Sequence, residues 1–148
     1  MNTKRVLLVA FVLVVVVLGG LSATTVMSNA EYNPKTGEKW QTDFDEALET
    51  AQSSNDLVLV YFWSSNCQYC EQFTTRLQND DDLQRAVDQY VMVSANVKKQ
   101  QDLMSRYGVD SYPTLVVVRP NGTAVASFNP VGVESPANRL YTISESAQ

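Results

Sequence analysis

Polar and apolar positions fall into three textures along this chain: one unbroken apolar block, several short apolar runs bounded by turn residues, and stretches in which apolar residues recur every three or four positions. The block, Val6 to Leu21, is preceded by Lys4 and Arg5 and has the make-up of a membrane or export segment rather than of a core helix. Leu57 to Trp63 is short, β-branched and aromatic, which predicts a strand buried on both faces; Val91 to Val97 resembles a second. Leu115 to Arg119 and Ala124 to Phe128 flank Pro120-Asn121-Gly122-Thr123, predicting an antiparallel hairpin, since Asn-Gly tolerates the positive φ of tight turns. Helical spacing appears in Phe44, Ala47, Leu48 and Ala51, preceded by a capping-box pattern of Thr42 with Asp45. A further helix is expected from Cys67 to about Gln78, and another carries Leu83, Ala86, Val87 and Tyr90 on one face. A short helix over Leu103, Met104 and Tyr107 is ended by Gly108. A last helix over Ser135 to Ile143 turns Leu140 and Ile143 inward.

These textures divide the chain into a signal anchor or signal peptide over 1–30, a tether over 31–39 containing Pro34 and Gly37, and one folded domain over 40–148. The cationic residues ahead of the apolar block predict that the domain faces outside the cytoplasm. It is either anchored in the membrane through residues 6–27 or exported after cleavage near Ala30, where Ser28-Asn29-Ala30 offers small residues. Beyond that segment the charge is strongly acidic: two of the eleven basic residues precede it, leaving nine against sixteen acidic ones, a net −7. Nucleic acid is thereby disfavoured as a partner. Asp80-Asp81-Asp82 lacks the glycine and distal glutamate of a calcium loop, so it is expected to cap a helix. Asn121-Gly122-Thr123 is also an N-glycosylation sequon.

The candidate chemistry lies in the only two cysteines, Cys67 and Cys70, spaced Cys67-Gln68-Tyr69-Cys70 directly after the first strand. Two thiols at this spacing close a disulfide within one helical turn and reopen it. If a helix begins at Cys67, its sulfur lies against the unpaired N–H groups and positive end of that helix, which favours thiolate. Cys67 is then the expected nucleophile, and Cys70, almost a turn further in, the resolving thiol that expels a partner from a mixed disulfide. A zinc site needs four ligands, and the chain has no histidine and no third cysteine, so zinc could only bridge two copies. Covalent haem attachment would want histidine where Glu71 stands. A purely structural disulfide stays open, although so short a loop stabilises little. No cofactor and no metal is expected.

Phe62-Trp63-Ser64-Ser65-Asn66-Cys67-Gln68-Tyr69-Cys70 resembles the active-site segment of the thioredoxin-like superfamily, and Tyr107-Gly108-Val109 with Tyr112-Pro113-Thr114 resembles its cis-proline segment. The likeness spans about residues 40–143, and its lead-in, Trp40 with Phe44-Asp45-Glu46-Ala47-Leu48 and Ala51, looks more like the exported or membrane-linked members than the cytosolic ones. It implies an α/β thioredoxin fold, a central mixed sheet flanked by helices, preceded here by the N-terminal transmembrane or signal helix. It also implies a cis Tyr112–Pro113 bond, consistent with X-Pro being the one linkage for which cis costs little. Tyr112 would then lie beside Cys67, with its backbone free to pair with an extended substrate, and Pro113 and Trp63 would complete the substrate-binding surface.

The implied activity is thiol–disulfide exchange with protein thiols or disulfides outside the cytoplasm, with a membrane electron donor or acceptor as second partner. The sequence departs from the family where cytosolic members carry a buried carboxylate and a lysine: Tyr61 and Ser94 stand there. Glu71 is no replacement, because one residue along a helix turns a side chain about a quarter-circle away. The departure motivates a rival reading, a non-catalytic binding module with a static disulfide.

Overall fold

A computed structural model describes residues 30–32 and 39–147 of the chain. The expected transmembrane or signal segment at 6–27 lies outside the described residues; among those described, no helix is long and apolar enough to cross a membrane. The elements in order are β1 (Ala30–Tyr32), β2 (Lys39–Gln41), α1 (Phe44–Ser54), β3 (Leu57–Trp63), α2 (Gln68–Asn79), α3 (Asp81–Val87), β4 (Tyr90–Asn96), α4 (Gln101–Arg106), β5 (Thr114–Val118), β6 (Ala124–Phe128) and α5 (Pro136–Ala147). The strands form one sheet in the order β1-β2-β4-β3-β5-β6. β3 and β4 are parallel, while β5 runs antiparallel to both β3 and β6. This is the expected mixed α/β sheet.

Side-chain alternation along β3 explains its uninterrupted apolar run. Leu57, Leu59 and Tyr61 point into one core with Phe73 and Leu77 of α2, Leu83 of α3, and Leu140 and Ile143 of α5. Val58, Val60 and Phe62 point into the other, against Phe44, Ala47 and Ala51 of α1. With helices on both faces, no position of the strand meets water until Trp63. The central strand is thus held rigidly, and its C-terminal end is where the chain leaves the sheet to form the Cys-x-x-Cys loop.

Local chemistry sets the element ends. α1 is capped by Asp43, whose side chain accepts from the N–H groups of Asp45 and Glu46 at 3.0 and 3.1 Å, not by the Thr42–Asp45 pattern. A carboxylate one residue nearer the helix reaches those donors directly. At the other end Asn55 takes the left-handed conformation, φ 60°, and donates its N–H to the Ala51 carbonyl. Asp80 accepts from Leu83 N at 3.0 Å, so the acidic triplet does cap a helix. α5 starts at Pro136, where a missing N–H is harmless, behind the Ser135 hydroxyl, which accepts from Asn138 N.

Two further expectations are refined. Residues 31–39 are not wholly an irregular tether, because Ala30–Tyr32 pairs antiparallel with Lys39–Gln41 and extends the sheet at its β4 edge. In the β5–β6 turn only Gly122 adopts positive φ, +83°. Asn121 instead accepts the Thr123 N–H at 3.0 Å, and the loop closes through Arg119 N–H to the Thr123 carbonyl at 2.9 Å.

Candidate active site

β3 ends at Trp63, a tight turn over Ser65 and Asn66 reverses direction, and Cys67 stands at the N-cap of α2 with extended backbone, φ −131°. A cap residue must offer the first-turn N–H groups an acceptor, and here the acceptor is sulfur: Cys67 Sγ receives the Cys70 N–H at 3.0 Å. That donor and the positive helix end stabilise negative charge on this sulfur once the disulfide opens. In the structure Cys67 and Cys70 are joined as a disulfide, Cα to Cα 5.2 Å. Their access differs: Cys67 is 7% exposed and Cys70 0%. Of the two, only Cys67 keeps any exposed surface.

The Tyr112–Pro113 bond is cis, as the resemblance implied. It brings the Tyr112 carbonyl oxygen to 3.9 Å from Cys67 Sγ, across a separation of 45 residues. Pro113 is buried. Just beyond it the Thr114 hydroxyl donates to the Ser111 carbonyl at 2.9 Å and ties the loop's two ends together. Cys67, Cys70, Tyr112 and Pro113 are therefore brought to one place. Trp63 sits at the end of β3 with its polar atom committed elsewhere, the indole Nε1 donating to Ser94 Oγ at 2.8 Å.

Tyr61 lies behind Cys70. It is fully buried, stacks tilted on Phe73 with ring centroids 5.1 Å apart, and meets Trp40 edge-on at 5.7 Å. Its hydroxyl donates to the Cys70 carbonyl at 3.4 Å. Burial raises its ionisation well above the ordinary phenol range, so the group here is a neutral hydroxyl that holds its proton. Ser94 is its register neighbour on β4, which places the two family departures side by side. Glu71 is exposed on α2.

Sequence reasoning did not single out Tyr69. It is 59% exposed and Tyr112 is 42% exposed, and these are the two large apolar side chains left to solvent among the described residues. The available signal was an aromatic residue between two cysteines among polar neighbours, Asn66 and Gln68.

A family model described as "Thioredoxin-like domain" matches residues 44–147. The thioredoxin of Bacillus subtilis is 33% identical over 70 residues, covering 47% of this chain and 65% of that protein. The protein disulfide-isomerase MPD1 of Saccharomyces cerevisiae is 27% identical over 88 residues, covering 60% of this chain and 27% of that protein. The chain thus spans less than two thirds of the length of either relative. Among solved structures, a thioredoxin from Thermus thermophilus superposes with a TM-score of 0.58 at 29% identity, covering 72% of this chain and 85% of that one.

Proposed function

We propose that this chain, which belongs to the thioredoxin-like domain family, is a thiol–disulfide oxidoreductase that exchanges disulfides with other proteins outside the cytoplasm. The observation that carries the proposal is the disulfide at the N-terminus of α2, with Cys67 at the helix cap keeping slight exposure and Cys70 sealed. From the oxidised state, a partner thiolate attacks Cys67 Sγ, the Cys67–Cys70 bond breaks, and Cys70 leaves with the electron pair and takes up a proton. A second partner thiolate then attacks the partner sulfur of the mixed disulfide and releases Cys67 as thiolate. The partner dithiol has become a disulfide, and two electrons now reside on the cysteine pair. The reverse sequence, with Cys67 as nucleophile and Cys70 as resolving thiol, reduces a partner disulfide.

The remaining parts support this reading. The N–H of Cys70 stabilises a Cys67 thiolate whichever way electrons flow, and the carbonyl beside Cys67, with Pro113 and Trp63, offers an extended partner segment a docking edge. A place outside the cytoplasm, through an anchor at 6–27 or after cleavage near Ala30, is supported by Lys4 and Arg5 ahead of the apolar block. A membrane protein is then the natural donor or acceptor that resets the pair.

One observation favours a second reading, a binding module with its disulfide kept closed: Tyr61 behind Cys70 is a neutral hydroxyl rather than a proton acceptor. A single experiment separates the two. The pre-reduced chain is assayed against a protein disulfide, with Cys67→Ser and Cys70→Ala beside it. The oxidoreductase reading expects turnover by the wild type, none by Cys67→Ser, and a stable adduct through Cys67 in Cys70→Ala. Full activity of Cys67→Ser, or no adduct in Cys70→Ala, would favour the binding module.

A further inference from the structure

We infer that the side chains of Tyr69 and Tyr112 select partners by the residue next to the exchanging cysteine, favouring a large apolar or aromatic neighbour over a small polar one. The inference rests on the oxidoreductase reading and adds to it the chemistry of the preferred substrate. Among the described residues the core is well closed: Tyr61, Phe62, Phe73, Leu59, Leu83, Leu115 and Leu140 are sealed, and the two exposed large apolar side chains are these two tyrosines. Both belong to the disulfide's own surroundings. Tyr69 lies between the cysteines, and the carbonyl of Tyr112 is 3.9 Å from Cys67 Sγ. Two exposed aromatic side chains on the two loops that meet at the disulfide are available for a partner docked there to cover. Tyrosine suits that task, since a rigid ring offers much contact area for little lost side-chain freedom.

Charge points the same way. The residues on the two loops that meet at the sulfurs, 64–70 and 111–112, carry no charge, and the exposed Glu71 and Asp110 border them. On these loops the two tyrosine rings are the large exposed side chains, and the carboxylates of Glu71 and Asp110 add a charge effect that salt screens. The partner in view is an extended segment whose cysteine approaches Cys67 while the neighbouring side chain rests on one or both tyrosine rings.

The test uses the pre-reduced full-length chain and two short peptides, each carrying one cysteine as a mixed disulfide with glutathione, identical except for phenylalanine or serine beside the cysteine. Cys67 thiolate attacks the peptide sulfur, glutathione leaves as thiolate, and Cys70 then releases the peptide as thiolate and closes the Cys67–Cys70 disulfide. The rate ratio of the two peptides is the readout, so a general loss of activity in a variant cancels. The expected wild-type ratio is about tenfold or more in favour of phenylalanine. Tyr69→Ser and Tyr112→Ser should bring it towards one, and Tyr69→Phe and Tyr112→Phe should keep it, because the ring and not the hydroxyl does the selecting. The ratio should also survive about 1 M salt, where charge effects are screened. Equal wild-type rates with both peptides, or a ratio that the serine variants leave intact, would overturn the inference and leave the oxidoreductase reading standing. No exchange with either peptide or with glutathione disulfide would overturn both.

Discussion

Cys67 and Cys70 stand three positions apart, yet one caps a helix with slight exposure and the other is sealed, its carbonyl accepting from the Tyr61 hydroxyl. This asymmetry follows from helix geometry, because a cap residue faces outward while the residue three further on turns back over the first turn onto the core. It was legible in the spacing of the cysteines and in the apolar run before them. The part played by Tyr61 was less so: an aromatic residue in a buried strand reads as packing, and only its depth places the hydroxyl under the Cys70 carbonyl. Tyr61→Phe keeps the ring stacking and loses that hydrogen bond. It should lower stability by about 0.5–1.5 kcal/mol in chemical denaturation. No change would mean that the hydroxyl contributes nothing beyond packing. The exposure of Tyr69 and Tyr112 was hidden in the sequence, where an aromatic residue reads first as core.

At the scale of elements, the strands were legible as short β-branched and aromatic runs bounded by turn residues and the helices by their 3.6-residue spacing, while their ends were less so because they turn on single side-chain hydrogen bonds. The cap of α1 moved by one residue, from Thr42 to Asp43, and the β5–β6 turn places positive φ on Gly122 but not on Asn121. The β1–β2 pairing had no pattern to announce it, since three-residue strands show no clear alternation. Two predictions belong here. Asp80 ends α2 and caps α3, and its carboxyl is held below its ordinary range chiefly by the Leu83 N–H, with Arg76 assisting. A carboxyl whose folded-state pKa is depressed adds stability above the unfolded-state pKa and loses it as pH falls through the folded-state value. Asp80→Ala should thus cost about 1 kcal/mol near neutral pH. In denaturation series across pH, the gap from wild type should close at and below the ordinary carboxylate range; a gap independent of pH would contradict the assignment. Gly122→Ala should destabilise by more than about 1 kcal/mol, because φ is +83°, whereas the added Cβ would displace only the flexible end of Arg106. An unchanged melting temperature would show that the turn relaxes freely.

For the whole molecule, the sheet carries β3 between two cores and delivers its end, with the cis-proline loop from the strand next to it, to one spot. The two segments that meet there, near residues 67 and 112, are far apart in the chain, so their juxtaposition was legible only through family resemblance. No periodicity in the sequence could have placed Tyr112 beside Cys67. The fold as a whole was legible because each element was locally consistent with its place in the sheet. The central claim is that the pair at this spot is a working redox couple. It is tested most directly by equilibrating the full-length chain in glutathione and dithiothreitol buffers of graded potential and trapping free thiols by alkylation. The account predicts a reversible two-electron transition with a midpoint between about −270 and −120 mV, nearer the first for a reductase and the second for an oxidant. A disulfide that stays closed in the folded chain across the whole series would contradict it and make the pair a structural link.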